Sequence, residues 1–251
     1  MSDLQKKTFV ITRFDPDKDE VPKTQSYRIP VRPDWKVLDA LNFIKDEVDG
    51  TLSHRWSCRM AVCGSCGMTV NGEPKLTCKT ALSDYGDTVE VEPLSNFPVI
   101  RDLVVELEGF MEKFKAVKPW IIRAKEKSAE EGVYRQSPEE LEAFKQFSMC
   151  INCMLCYAAC PVVGNEPGYL GPAALALGHR YNLDSRDQGD AERNRIFREE
   201  GGVYSCSYAN ECSEVCPKHV DPAAAINQAK LLAVVDWAKG FVAPSPRKKE
   251  E

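Results

Sequence analysis

Eleven cysteines in a 251-residue chain pose the first chemical question, because they fall into three groups of short spacing. Cys58, Cys63, Cys66 and Cys78 come first, Cys150, Cys153, Cys156 and Cys160 second, and Cys206, Cys212 and Cys216 last. An odd number of thiols cannot pair fully as disulfides within one chain. The opening "MSDLQKKTFVITRFD" has no apolar core of signal-peptide length, so a reducing compartment that keeps thiols free is expected. Thiolates grouped at such spacings read most simply as metal ligands.

The first group has a recognisable pattern. In "SCRMAVCGSCG" the spacing of Cys58, Cys63 and Cys66 is C-x4-C-x2-C, that of plant-type [2Fe–2S] ferredoxins, and Cys78 stands as the distant fourth ligand. Gly64, Ser65 and Gly67 allow backbone to crowd a cluster and to aim amide N–H groups at its sulfurs. The competing reading is a structural zinc site, since four thiolates also bind zinc tetrahedrally. Against it, zinc ribbons use paired C-x2-C knuckles, which the x4 gap is not.

The second and third groups are variants of one phrase. "CINCMLCYAACP" (150–161) carries a cysteine at every position of C-x2-C-x2-C-x3-C-P, whereas "CSYANECSEVCP" (206–217) has Ala209 where the second cysteine would stand. In two-cluster ferredoxins the fourth cysteine of each phrase ligates the other phrase's cluster. Applied here, Cys150, Cys153, Cys156 and Cys216 form a [4Fe–4S] set. Cys160, Cys206 and Cys212 remain for the other centre, with one corner lacking a thiolate. A cubane without that corner is a [3Fe–4S] cluster. The alternative is a [4Fe–4S] cluster whose open iron acts as a Lewis acid, but no array of acid and base residues accompanies the phrase.

These groups need two kinds of scaffold. "KTFVITRF" and "TQSYRIPV" alternate as strands, and Val37, Leu41, Ile44 and Val48 recur at helical spacing before Gly50. Asn71-Gly72 signals a hairpin, and "DTVEVEPL" alternates again as a closing strand. Behind a join near Phe97–Asp102 the chain reads as helix: Val104, Leu107, Met111 and Phe114 form an apolar stripe. Ser137, Pro138 and Glu140 form a capping box, and "GPAALALGHRY" and "DPAAAINQAKLLAVVDWA" each carry a proline near the start. The expected architecture is α+β: a sheet curled over one helix in residues 1–97, then an all-α domain in 98–251 with its cysteines in turns between helices. The bulk properties agree with two soluble domains: 43% hydrophobic residues and a net charge of −5, with basic residues too few and scattered for a nucleic-acid partner. No stretch reaches the roughly 18 apolar residues that span a bilayer.

The three cysteine sets in this order, with "CSYANECSEVCPKHVDPAAA" closing them, resemble the iron–sulfur subunits of succinate dehydrogenases and quinol:fumarate reductases, and the resemblance covers nearly the whole chain. It implies an N-terminal β-grasp plant-type ferredoxin domain and a C-terminal helical ferredoxin domain. It further implies a conduit that carries electrons from membrane menaquinol through [3Fe–4S], [4Fe–4S] and [2Fe–2S] clusters to a separate FAD-containing flavoprotein subunit, where fumarate becomes succinate. One or two membrane-anchor subunits would bind the quinone and hold this chain peripherally on the cytoplasmic face of a bacterial inner membrane. By the same carry-over, Lys230 and Asn227 fall near the quinone headgroup.

The resemblance leans toward fumarate reductase. Succinate dehydrogenases usually place a tryptophan pair after the first "CP", where this chain reads "VVGNEP", and a histidine where it has Ser207. The same conduit in a succinate dehydrogenase, running in the opposite direction, is the alternative. A subunit of another flavoprotein or heterodisulfide-reductase-like complex is a further one, and the plant-type set joined to a helical domain argues against it. His54, His179 and His219 are expected to cap or pack, Trp120 and Trp237 to pack or lie at interfaces, and "PSPRKKEE" to form a mixed-charge tail.

Overall fold

The computed structural model describes the backbone of residues 5–242 and the side chains of residues 5–235. The expectations for the "PSPRKKEE" tail and for the Trp237 side chain lie outside the described residues.

The N-terminal unit is a five-stranded sheet in the order β2-β1-β5-β3-β4. β1 (Lys6–Arg13) pairs antiparallel with β2 (Lys23–Pro30) and parallel with β5 (Thr88–Glu92). β3 (Gly67–Val70) pairs antiparallel with both β5 and β4 (Glu73–Leu76), closing on β4 through the Asn71-Gly72 turn. The period-2 pattern of β1 sends Phe9 and Ile11 to one face. There they meet Val89, Val91, Met68, Val70 and the apolar side of α1 (Val37–Phe43). Asp39 caps this helix by accepting from the Lys36 amide at 2.8 Å. The helix widens into a π turn over Ile44–Val48, which turns Val48 out to 54% exposure rather than leaving it on the buried stripe.

Residues 99–105 pack against the N-terminal unit. β6 (Val99–Arg101) and β7 (Val104–Val105) form a small ribbon, Leu103 enters the first core, and Asp102 is buried. Its carboxylate accepts from Arg13 Nε at 2.9 Å, the Phe14 amide at 3.0 Å and the Ser53 amide at 2.8 Å. We therefore propose the join after Val105 rather than after Phe97. The helix expected from Val104 instead begins at Glu108: α2 (Glu108–Ala116) buries Phe110, whereas Met111 is exposed. Pairing of Val104–Val105 with β6 withdraws the first turn of the expected stripe; Phe114 still packs on the second core beside Phe110, and Met111 turns outward.

The C-terminal unit is helical. α3 (Pro138–Ser148) starts at the expected capping box, with the Glu140 amide on Ser137 Oγ at 3.2 Å and the Ser137 amide on Glu140 Oε2 at 2.7 Å. The short α4 (Leu155–Ala158) and α5 (Pro161–Asn165) follow, then α6 (Pro172–Asn182), α7 (Asp190–Arg198), the short α8 (Glu211–Glu214) and α9 (Pro222–Val242). α6 and α9 pack through Ala173, Ala174, Leu175, Ile226 and Ala229. Among the described residues no helix is long and apolar enough to cross a membrane.

A third core joins the two units. Leu38, Cys66, Leu76, Cys78 and Leu94 from the first pack with Cys153, Leu155 and Ala158 from the second. The approach is backbone against backbone. A methyl group on Gly64 would stand 2.8 Å from the Ile151 carbonyl oxygen and 2.9 Å from Cys153 Cα, and one on Gly67 would stand 3.0 Å from the Cys153 oxygen. Asn96 fastens the same seam: its side-chain amide reaches the carbonyls of Tyr157, Ala158 and Cys160 at 3.0–3.1 Å and so closes the end of α4.

Two glycines separate the causes of this constraint. Gly64 and Gly72 both have positive φ, +73° and +82°, but nothing approaches Gly72 within 4 Å. Gly72→Ala should lower unfolding free energy by about 1 kcal/mol, the backbone conformational term alone. Gly64→Ala should lower it by about 2–4 kcal/mol, because overpacking adds to the same term. Equal denaturant midpoints for the two variants would show that the seam is loose.

Candidate iron–sulfur centres

The first cysteine group lies on a loop and a hairpin. Cys66 directly precedes β3 and Cys78 follows β4, so the Gly67–Leu76 pairing of the hairpin brings them together. Thr77 fixes this end by donating from its amide and its hydroxyl to the Cys66 carbonyl at 3.1 and 3.0 Å. In the loop, Arg59, Ala61 and Gly64 all have positive φ. These turns aim the amides of Met60, Val62 and Cys63 at Cys58 Sγ, at 3.4, 3.4 and 3.3 Å. Those amides bring the Cys58 thiol down to about 6, whereas burial pushes Cys78 up to about 11. Cys78 lies against Cys66, with Cys58 also near enough to act on its charge, and Cys63 hydrogen-bonds Cys58. The four side chains therefore form one group, with Cys66 and Cys78 on the buried side and Cys63 exposed.

The two later phrases repeat one backbone path. Asn152 and Met154, two and four residues after Cys150, have φ of +53° and +66°. Tyr208 and Asn210, at the same offsets from Cys206, have +61° and +68°. α4 and α8 then begin at the same offset as well. Thus Ala209 occupies the backbone station that Cys153 holds in the first phrase, and only the thiol is missing. Cys156 and Cys212 sit within these short helices, not in turns as expected, because each helix starts immediately ahead of its cysteine.

The phrases meet as two cavities. Cys150, Cys153, Cys156 and Cys216 line one, beside Ala173, Ala176 and Val220. Cys160, Cys206 and Cys212 line the other, together with Ala209, Tyr169 and Ile226. Cys160 and Cys216, each followed by a proline, have crossed to the opposite phrase's cavity. All eleven cysteines are free thiols.

The donor chemistry fits iron–sulfur clusters. Burial pushes Cys153 and Cys212 up to about 12 and raises Cys156 well above the ordinary thiol range. Such thiols keep their protons at neutral pH until a cation replaces them, so loading releases protons. Among the described residues no three His, Cys, Asp or Glu side chains converge closely enough for a single metal ion. The residues present supply thiols alone, in sets of four, four and three, and thiolates are the donors that hold iron–sulfur clusters.

The other expected residues fall in different places. Lys230, on α9, donates from Nζ to the Cys206 carbonyl at 2.9 Å and is half-buried, while Asn227, one turn earlier, is exposed. His54 pairs with Asn42 at 2.8 Å, and His179 with Gln228 at 3.0 Å and with the Phe147 ring. Neither these two nor His219 lines a cysteine cavity. Trp120 is half exposed, and its carbonyl accepts from the buried Arg193. Tyr169 and Asn96 had escaped sequence reasoning, since neither residue type signals a ligand. Two apolar surfaces flank the centres: Trp56, Met60 and Val62 around the first loop, and Tyr204, Tyr208, Leu231 and Val234 around the third cysteine group and α9.

Known proteins share this organisation. Residues 8–112 match a family model described as "2Fe-2S iron-sulfur cluster binding domain", and residues 146–220 match one described as "4Fe-4S dicluster domain". The chain is 56% identical to a fumarate reductase iron-sulfur subunit of Mycobacterium tuberculosis, over 93% of this chain and 95% of that one. It is 49% identical to the corresponding subunit of Haemophilus influenzae, over 93% and 95%. A chain of the solved Mycobacterium smegmatis Sdh1 complex superposes with a TM-score of 0.85 at 27% identity, covering 97% of this chain and all 100% of that chain. With the cysteine sets, the two domains and the identities in agreement, the chain belongs to the family of fumarate reductase and succinate dehydrogenase iron–sulfur subunits.

Proposed function

We propose that the chain is the electron-transfer subunit of a quinol:fumarate reductase. It takes electrons from menaquinol held by one or two membrane-anchor subunits and delivers them to an FAD-containing subunit that reduces fumarate to succinate. The clusters, when bound, supply one-electron carriers. In this reading Cys58, Cys63, Cys66 and Cys78 hold [2Fe–2S], Cys150, Cys153, Cys156 and Cys216 hold [4Fe–4S], and Cys160, Cys206 and Cys212 hold [3Fe–4S]. The carrying observation is the unbroken contact between the three sets: Gly64 of the first loop lies against Cys153 of the second, and Cys160 and Cys216 cross between the second and third.

The protein's own residues do three things. They pack most of the cysteines, though not Cys58 or Cys63, into apolar cores, aim amides at Cys58 and Cys206, and leave an exposed apolar surface at each flanking site. Trp56, Met60 and Val62 suit the flavoprotein, and Tyr204, Tyr208, Leu231 and Val234 suit the membrane anchors, which would hold the chain on the cytoplasmic face of the membrane. Lys230 and Asn227 lie beside the second surface. The Lys230 ammonium, already fixed on the Cys206 carbonyl, can offer a second hydrogen bond to a quinone oxygen. The superposition on a chain of an Sdh1 complex supports a second reading, succinate oxidation with the electrons reversed. The absent tryptophan pair and Ser207 favour fumarate reduction.

Low-temperature EPR and iron analysis of the anaerobically purified complex test the assignment. About nine irons per chain are expected, with a three-iron signal when oxidised and a two-iron signal when reduced. A colourless protein with stoichiometric zinc would overturn it. Because Ala209 keeps the backbone of a ligand position, Ala209→Cys should raise the count to about ten irons and abolish the oxidised three-iron signal. An unchanged signal would mean that the corner is closed by something other than the missing thiol. For the quinone side, Lys230→Leu should slow quinol-dependent fumarate reduction by roughly tenfold, the worth of one charge-assisted hydrogen bond. Dye-driven fumarate reduction should be retained; equal loss in both assays would remove Lys230 from the quinone site.

A further inference from the structure

The first helical phrase ends on a turn that the N-terminal unit completes. The Cys160 amide donates to the Tyr157 carbonyl at 3.3 Å, and the Cys216 amide, at the same place in the later phrase, donates to the Ser213 carbonyl at 3.3 Å. Beyond this shared turn the phrases differ. The Cys216 carbonyl accepts from the His219 amide at 3.1 Å, so the later phrase closes with its own backbone. The Cys160 carbonyl accepts from Asn96 Nδ2 at 3.1 Å, a donor sixty-four positions earlier in the chain. The same nitrogen reaches the Tyr157 and Ala158 carbonyls at 3.0 Å each.

Asn96 is itself held on both sides. Leu94 is buried in the third core, and the Phe97 ring packs 4.9 Å from the ring of Tyr157. Between them Asn96 takes a left-handed φ of +66°, a conformation that asparagine tolerates better than most residues. Three carbonyl acceptors orient its amide, with the nitrogen toward α4 and Oδ1 toward α5, where a methyl group on Gly164 would stand 2.6 Å from that oxygen. The amide therefore fills the angle between the two short helices. Pro161 prevents α4 from continuing and holds Cys160 extended, at φ −75° and ψ 119°. The direction in which this extended residue leaves α4 depends on what holds its carbonyl. Cys153, Leu155 and Ala158 are packed in the third core, which keeps Cys156 in place between them without the amide.

We propose that the Asn96 side chain turns Cys160 away from the four-thiol cavity and into the cavity of Cys206 and Cys212, a role that rests on the assignment of those three cysteines to the three-iron centre. Asn96 is thus a positioning residue that acts through the Cys160 backbone, and the three-thiol set is complete only when the N-terminal unit is docked.

Iron analysis and low-temperature EPR of the whole, anaerobically purified complex test this with two substitutions on opposite sides of the contact. Asn96→Gly keeps the left-handed backbone and removes the amide. The oxidised three-iron signal per chain should fall by about tenfold, the worth of the lost hydrogen bonds, and iron should fall from about nine to about six per chain. The reduced two-iron and four-iron signals should keep their intensities. Gly164→Ala leaves Asn96 in the chain, but its methyl group is most cheaply relieved by rotating the Asn96 side chain off the carbonyls, so the same selective loss is expected. If one variant does not assemble, the other decides. A proportional fall of all three signals, failure of both variants to assemble, or an unchanged three-iron signal overturns the positioning role alone. A wild-type complex without that signal overturns the cluster assignment together with it.

Discussion

The distance between the backbone at Gly64 and the backbone at Cys153 governs the architecture more than any single ligand does. Neither position leaves room for a side chain on the glycine, so the first cysteine loop and the second phrase touch through main chain rather than through interchangeable side chains. Main-chain contact is stiff and difficult to repack. Around it the third core mixes ligand cysteines with Leu38, Leu76, Leu94 and Leu155, which keeps water out of the seam between two units that otherwise have separate cores. Electron transfer between centres weakens steeply with separation, and main-chain contact at Gly64 and Gly67 keeps that separation short.

The two helical phrases show how a binding loop can lose a ligand without losing its shape. Left-handed residues at matching offsets, Asn152 and Met154 in one and Tyr208 and Asn210 in the other, turn the amides inward. The conformation is local, set by those residues and by the short helix that follows, so the identity of the residue between them is free to vary. Ala209 is that variation. Around the thiol-poor cavity the Tyr208 amide donates to Cys206 Sγ and Lys230 Nζ to the Cys206 carbonyl, so hydrogen-bond donors remain on the phrase that has lost a thiol.

Much of this was legible in the sequence for reasons that are physical. Cysteine spacing reports ligation because thiolates at short intervals have few other uses in a reducing compartment, and alternation reports β1 and β5 because one face of each is buried. The capping box at Ser137 and the Asn71-Gly72 turn are local codes, read within four residues. The rest depended on contacts between distant segments. Val104–Val105 pair with β6 and so leave the helix that their spacing suggested, and the proposed boundary after Val105 rests on Asp102 reaching Arg13, eighty-nine positions earlier. The π turn at Ile44–Val48 likewise overrides a regular stripe. Asn96 acts through position alone, and a lone asparagine carries no spacing signal.

The Asn96 cap has a consequence for biogenesis. A residue of the first unit terminates α4, the helix that carries Cys156, and the cavity containing Cys156 also needs Cys216 from near the end of the chain. During synthesis the earlier half is folded first, so it stands ready as a mould for the second phrase, while the cavity that holds Cys156 stays open until Cys216 has emerged. A chain truncated ahead of Cys216 would therefore lose part of the four-thiol cavity while the first unit keeps its own four cysteines.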